Sequence, residues 1–150
     1  GISIKLNNSD ITDLIRTEKA GDDASIIAVD PGVRTALIDR QRAFAIPPGL
    51  VADGRDMGSV VFPAAGLKVF LTASVDERAR RRYKQLKDKG MDVSLPALWR
   101  DMAERDRRDS ERAVAPLRAC TDAQVLDSTH LSIQEVVQEI IAWAHEVYAL

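Results

Sequence analysis

The chain of 150 residues is 45% hydrophobic and 29% charged, and its net charge of −2 comes from 21 basic and 23 acidic side chains, which indicates one globular domain and argues against a general binder of polyanions. Cys120 is the single cysteine, and His130 and His145 are the only histidines; an internal disulfide is excluded, a histidine-based metal site is not expected, and a reducing compartment, the cytoplasm, fits. No apolar run approaches the ~20 residues that cross a bilayer, so no membrane association is expected.

The first half of the chain predicts one exposed strand, one capped helix and two buried strands. Residues 2–6 alternate apolar and polar side chains, which is typical of a half-exposed strand. Asp30 before Pro31 predicts the start of a helix, with the aspartate as N-cap and the proline at the first helical position. The short apolar runs at residues 50–52 and 67–71 predict buried strands.

The second half predicts two capped helices and a third strand. Ser74 with a glutamate three residues later is a capping box for a basic helix that Gly90 ends. The apolar residues 124–126 predict the third strand. Ser132 and Glu135 form a second capping box, and the apolar positions that follow repeat at i, i+3 and i+4, so the last helix is expected to dock on a core.

Strands that alternate with amphipathic helices predict an α/β fold with a parallel sheet. Ligands of such sheets bind beyond the carboxyl ends of the strands. Asp53, Arg55 and Asp56 directly follow the predicted strand at residues 50–52, so we expect them at a binding site.

A second candidate lies on one helical face that changes character along its length. Leu98, Met102, Arg105, Asp109 and Arg112 fall within ~80° of each other on an α-helix. The face begins with two apolar side chains and ends with two arginines around a carboxylate. A helix with such a face can pack its apolar end in the core and place its charged side chains at a cleft.

These segments resemble the signatures of bacterial cytidylate kinases. Residues 52–63 read Ala-Asp-Gly-Arg-Asp-Met-Gly-Ser-Val-Val-Phe-Pro, and residues 104–117 contain Glu-Arg-Asp followed by Arg-Ala-Val-Ala-Pro-Leu. Residues 15–17 and 40–44 match as well. The resemblance extends over the whole chain in order, and it is highly specific.

The resemblance implies an α/β, P-loop-kinase-like parallel sheet with helices on both faces, an insert that binds the nucleoside monophosphate, and a helical lid. It assigns residues 1–46 to the insert, with small antiparallel strands and a helix, residues 47–75 and 116–150 to the core, and residues 76–115 to the lid. The sequence contains no Gly-x-x-x-x-Gly-Lys-Ser/Thr loop, which the family carries at its N-terminus on the first strand. We therefore expect about the C-terminal two thirds of such an enzyme, with the first strand absent from the middle of the sheet.

Residue roles follow from the matched motifs. Ser25, Arg34 and Asp56 resemble the group that recognises the edge of cytosine, which presents an amine donor beside acceptors. The alternative is that Arg34 is a solvated helical residue and Ser25 a loop hydroxyl.

Four further residues resemble the phosphate and ribose ligands of the monophosphate. Arg55 and Arg112 correspond to clamps on the acceptor phosphate, because guanidinium groups match phosphate oxygens. Arg105 and Asp109 correspond to the pair that holds the ribose hydroxyls. The alternative for this pair is a surface ion pair between residues one helical turn apart, worth only ~0.3–0.5 kcal/mol.

The donor side is assigned in the same way. Arg78 and Arg82 on the lid helix, together with Arg108, resemble residues that meet ATP when the lid closes. Asp53 resembles the carboxylate that holds Mg²⁺ through water. The alternatives are a solvated run of charge and a turn-forming aspartate.

The implied activity is transfer of the γ-phosphoryl group of MgATP to CMP or dCMP. The intact enzyme is expected to be a monomer; this chain is expected to be inactive alone, and to need its missing segment or to self-associate. A non-catalytic nucleotide-binding or regulatory module is the main alternative, and another monophosphate, UMP or AMP, is less favoured. A nucleic-acid binder is disfavoured because acidic residues balance the basic ones in residues 104–112.

Overall fold

The structure is a computed structural model that describes residues 3–111, 113 and 116–149. Its strands are β1 (Lys5–Leu6), β2 (Ser9–Asp10), β3 (Val69–Thr72) and β4 (Gln124–Asp127), and its helices are α1 (Glu18–Ile27), α2 (Pro31–Arg42), α3 (Val75–Asp88), α4 (Leu95–Glu111) and α5 (Ile133–Tyr148). A 3₁₀ turn at Leu14–Arg16 and a π-helical turn at Met57–Val61 complete the regular structure. The order is that of an α/β fold with a small parallel sheet.

The strand predicted at residues 2–6 is present only at Lys5–Leu6, where both residues are exposed and not half-exposed, and residue 2 lies outside the described residues. β1 pairs with β2 antiparallel, with Lys5 opposite Asp10 and Leu6 opposite Ser9. Asn7 and Asn8, between the strands, have positive φ values of 48° and 65°. Asparagine tolerates this left-handed backbone, and two such residues make the turn whose twist matches a hairpin.

The predicted N-caps of the helices are present, although the capping box at Ser74 is only half formed. The Asp30 side chain accepts hydrogen bonds from the backbone N–H groups of Gly32 and Val33 at the start of α2. Ser74 accepts from the N–H of Glu77 and begins α3, while its own N–H donates to the Thr129 hydroxyl and not to Glu77. Gly90 follows this helix with φ of +75°. These contacts satisfy N–H groups that have no partner within the helix.

The last helix has both halves of its capping box. The Ser132 side chain accepts from the N–H of Glu135, and the Glu135 carboxylate accepts from the N–H of Ser132. The expected docking of α5 on a core is only partly met, because Ile133, Val137 and Ile141 are 84%, 47% and 49% exposed. Two strands give too narrow a sheet to cover a helical stripe of this length.

The sheet has two of the three predicted strands. β3 and β4 are parallel, with Val69 opposite Gln124 and Thr72 opposite Asp127. The predicted strand at residues 50–52 is wrong, since this segment is irregular and Val51 is 99% exposed. A strand requires a neighbour to pair its backbone groups, and no described strand lies beside this segment.

The best-packed region lies between α3 and α4. Ala79 and Leu86 of α3 are 0% and 4% exposed, and Leu98 of α4 is 7% exposed. Burial of a leucine side chain contributes about 1.5–3 kcal/mol. This packing brings together the two arginine-rich helices. The division at residues 46, 75 and 115 stays a prediction.

None of the helices in the described part of the chain has the length and apolar character that crossing a membrane requires.

Candidate functional site

The predicted polar end of the α4 face is built around a buried carboxylate. Asp109 is 2% exposed and accepts a hydrogen bond of 3.0 Å from the Ser25 hydroxyl of α1. Its Oδ2 lies 3.1 Å from Nη1 of Arg55 and 3.8 Å from Nε of Arg105. Leu98 continues the same face into the core. A buried carboxylate is tolerated where it is paired and hydrogen-bonded in this way.

Arg105 has an unused donor in this cluster. Its Nε is buried and donates no hydrogen bond within the described residues. The Cα of Gly21, on α1, comes so close that a Cβ there would meet Nη1 of Arg105 at 3.1 Å. A buried donor without an acceptor is costly, and the ion pair with Asp109 at 3.8 Å offsets only part of this cost.

Asp106 is a second carboxylate on α4, three residues before Asp109. It accepts hydrogen bonds from both terminal nitrogens of Arg78, which lies on α3, and Nη1 of Arg55 lies 3.5 Å from its Oδ1. Desolvation opposes ionisation of this carboxyl group, but the hydrogen bonds and charge of Arg78 and the charge of Arg55 outweigh it and lower its pKa. The carboxylate form is therefore favoured.

Arg55 thus lies between two carboxylates of α4. Arg55 lies in an irregular segment, two residues before the π-helical turn Met57–Val61. Such turns are frequent at functional sites. Arg42 of α2 holds this turn by donating to the backbone oxygens of Val60 and Val61 at 3.2 and 2.9 Å.

The contact of α2 with the π-helical turn also brings Arg34 of α2 close to Asp56. Nη2 of Arg34 donates to Oδ2 of Asp56, and the two side chains are 17% and 12% exposed. Nη1 of Arg34 also donates to the backbone oxygen of Ala28, at 3.2 Å. A paired, mostly buried arginine of this kind has a defined orientation, which the surface alternative for Arg34 does not explain.

Arg108 connects α4 to α1. Its Nη1 lies 3.0 Å from Oδ1 of Asp22 and 3.4 Å from the hydroxyl of Ser25. Ser25 therefore contacts Asp109, a predicted ribose ligand, and Arg108, a predicted ATP ligand. Its described hydrogen bonds do not reach Arg34 or Asp56, with which it was predicted to recognise cytosine.

An open cavity of about 1020 Å³ lies between these helices. The described residues that line it include seven basic and five acidic side chains, and Leu98 and Met102 at its apolar end. Four of the predicted site residues are in this lining: Arg55, Arg78, Arg82 and Arg105. The excess of basic groups suits an anionic ligand.

Asp53 is the candidate protein ligand of Mg²⁺. Asp53 is exposed and forms no ion pair among the described residues, which also hold no cluster of three or more metal-ligating side chains. A single available carboxylate fits a Mg²⁺ ion that keeps several waters and takes other oxygens from phosphates. It does not fit an ion held by protein ligands alone.

The structure brings six of the predicted site residues into one cluster: Ser25, Arg55, Arg78, Arg105, Arg108 and Asp109. Arg34 and Asp56 form a pair of their own, Arg82 lines the cavity, and Asp53 forms no ion pair with the described part of the cluster. Arg112 lies outside the described residues. Asp106, Asp22 and Arg42 were not predicted, although the spacing of Asp106 and Asp109 at i and i+3 places them on neighbouring positions of one helix face, which was the available signal.

Comparison with known proteins gives a consistent result over nearly the whole chain. The family model described as cytidylate kinase matches residues 2–146. The chain is 61% identical to the cytidylate kinase of Pseudomonas paraeruginosa over 141 residues, which is 94% of this chain and 62% of that protein. It is 62% identical to that of Methylococcus capsulatus over 135 residues, 90% of this chain and 61% of the relative, and 59% identical to that of Azotobacter vinelandii over 139 residues, 93% and 61%.

The chain spans about 62% of the length of these relatives. The family match covers far more than half of the chain, and the identities lie near 60%. The buried arginine–carboxylate cluster lies inside the matched region. The chain belongs to the cytidylate kinase family.

Proposed function

We propose that this chain carries the monophosphate site and the lid of a cytidylate kinase, which transfers the γ-phosphoryl group of MgATP to CMP or dCMP. One observation supports this most strongly: Arg55 is held between Asp106 and Asp109 at the wall of a cavity whose basic lining residues outnumber the acidic ones. Preorganised guanidinium groups stabilise phosphate charge without having to reorganise when the ligand arrives.

In the proposed acceptor site, each part of the nucleotide meets a different group. Asp56, oriented by Arg34, accepts from the exocyclic amine of cytosine. Arg105 and Asp109 hold the ribose hydroxyls, and Ser25 keeps the Asp109 carboxylate in place. Arg55, with Arg112, binds the acceptor phosphate.

On the donor side, Arg78, Arg82 and Arg108 are proposed to meet ATP when the lid closes. Asp53 would hold Mg²⁺ through water, and the ion would neutralise phosphate charge. The chain's own residues position the two nucleotides and exclude water, which is most of what phosphoryl transfer requires from a protein.

The 150 residues contain no glycine-rich phosphate loop. Backbone amides of that loop hold the ATP phosphates in this class of enzyme. We therefore propose that the isolated chain binds CMP but does not catalyse phosphoryl transfer. We also propose that a P-loop strand from another segment or chain completes the sheet.

An amide-resolved NMR titration with CMP tests this function. We expect dispersed resonances that shift saturably around Arg34, Asp56 and Asp109. Dispersed resonances that CMP leaves unchanged would contradict the acceptor site and favour a non-catalytic module. Measurable CDP production from CMP and MgATP by the purified chain would contradict the proposed inactivity.

A further inference from the structure

Asp106 is the residue at which the lid helix and the phosphate clamp meet. Both terminal nitrogens of Arg78 donate to its carboxylate, and Nη1 of Arg55 is 3.5 Å from its Oδ1. Arg78, on α3, is 28 positions away from Asp106 in sequence, and Arg55, in an irregular segment, is 51 positions away. One carboxylate therefore contacts two proposed phosphate ligands.

Arg78 has little freedom in this arrangement. Its Nε donates to the backbone oxygen of Ala73 at 3.1 Å, just beyond the end of β3, while its two terminal nitrogens are engaged by Asp106. A forked arginine–carboxylate pair specifies orientation as well as distance. Arg78 thus ties the strand end and α3 to α4 through Asp106.

Arg55 is held from one side. Within the described part of the chain, its ion pairs with Asp106 and Asp109 both run through Nη1. Its side chain is 35% exposed and lines the cavity. Its Nε and Nη2 make none of these contacts, which leaves them for a phosphate.

We propose that Asp106 is a positioning residue, which fixes the guanidinium of Arg55 for the acceptor phosphate and joins it to Arg78 of the lid helix. This role rests on the proposed function and adds to it a residue that the resemblance does not assign. It also makes Asp106 act through two arginines and not by contact with a nucleotide.

Charge alone makes the opposite prediction. Replacement of Asp106 by asparagine removes one of the five acidic groups of the cavity lining and makes the cavity more positive, which would strengthen phosphate binding. Loss of positioning weakens it, because the arginines no longer share an anchor. The sign of the effect on CMP affinity distinguishes the two.

The experiment is an NMR titration of the full chain and of Asp106→Asn with CMP and with cytidine, which lacks the phosphate. We expect CMP to bind Asp106→Asn about tenfold more weakly, and cytidine to bind both proteins equally within about twofold. Asp101→Asn is the control, because Asp101 lines the same cavity and forms no ion pair among the described residues; its CMP affinity should be equal to that of the wild type or higher.

Each other outcome has a definite meaning. If Asp106→Asn binds CMP as tightly as the wild type or more tightly, Asp106 does not position Arg55 and the inference is wrong. An equal loss for CMP and cytidine would assign a general structural role to Asp106 and also overturn it. A wild-type chain that binds neither ligand would overturn the proposed function itself.

Arg78→Lys provides a second variant if Asp106→Asn does not fold. It keeps the positive charge but loses the forked pair with Asp106. The same selective loss for CMP over cytidine is expected, and an unchanged ratio of the two affinities would contradict the role of the Arg78–Asp106 pair.

Discussion

The arginines of α3 have different partners, and these partners separate structural from candidate functional residues. Arg81 donates to the hydroxyl of Ser128 at 3.1 Å and to the backbone oxygen of Leu131 at 3.3 Å. Ser128 is 3% exposed. Arg81 therefore ties α3 to the loop before α5, whereas Arg78 is directed to Asp106.

In the proposed acceptor site, single residues are expected to select the base. Asp56→Asn should weaken CMP binding about tenfold and reduce discrimination against UMP, because an amide can donate to the carbonyl oxygen that uracil has in place of the amine. Affinities for CMP and UMP from NMR titrations measure this.

Asp39→Asn on an exposed position of α2 is the matched control and should change neither affinity. An unchanged ratio of CMP to UMP affinity in Asp56→Asn would remove Asp56 from the base site.

Asp106 is one of the carboxyl groups that contribute to the pH dependence of stability. Its pKa is lowered in the folded chain from an ordinary value of 3.8, so the unfolded chain binds the proton more readily. The resulting stabilisation is present above about pH 4 and is lost as the pH falls through the lower folded pKa. Between about pH 5 and about pH 3, a range that brackets the ordinary pKa, the free energy of unfolding of Asp106→Asn should therefore fall less than that of the wild type.

Urea unfolding of the wild type and Asp106→Asn across this range measures the difference. Other carboxyl groups with lowered pKa values, such as Asp127 and Glu135, contribute equally to both proteins. Parallel curves would show that Asp106 is not linked to folding.

At the scale of elements, the helix ends are the parts that local sequence decides. Every contact of the Ser132–Glu135 box spans three residues. Ser132→Ala should lower the free energy of unfolding by about 1 kcal/mol, because the N–H of Glu135 loses its acceptor.

Chemical unfolding monitored by circular dichroism measures this cost. Ser110→Ala is the control, since this exposed serine donates only to the backbone oxygen of Arg107 within its own helix. It should be neutral or slightly stabilising. Equal effects of both variants would show that the box does not stabilise α5.

The prediction of elements failed where pairing partners are distant in sequence. The apolar residues 50–52 have the composition of a buried strand but are irregular. Composition describes a fit to a half-buried sheet and not an intrinsic backbone preference. Helix α1, which contributes Ser25 and Asp22 to the site, was not predicted, because its only local signal is the Thr17 side chain that caps it.

At the scale of the whole molecule, the two-stranded sheet leaves apolar surface uncovered. Leu71 of β3 and Val125 of β4 are 54% and 60% exposed. β3 pairs with β4 alone among the described strands, so one edge of it is open. Open edges and exposed apolar surface favour association.

We expect the isolated chain to self-associate with increasing concentration and Leu71→Lys to prevent this without loss of helix. A charge on an edge strand opposes pairing with a second strand. Sedimentation velocity over a range of concentrations measures the association.

Leu37→Lys is the matched control, because Leu37 is 45% exposed but lies on α2. It should associate like the wild type. A wild-type chain that is monomeric at every concentration would contradict self-association.

The amino-acid sequence was sufficient for the features that depend on neighbouring residues and on matched motifs: the capped starts of α2, α3 and α5, and the family. Only the tertiary structure showed which charges of distant elements meet. Arg78 and Arg81 lie three residues apart on α3, yet one reaches Asp106 of α4 and the other reaches Ser128 beyond β4. Helix caps form between residues two or three positions apart. Strand pairs and the ion pairs between elements depend on how distant parts of the chain pack, and no local pattern encodes that packing.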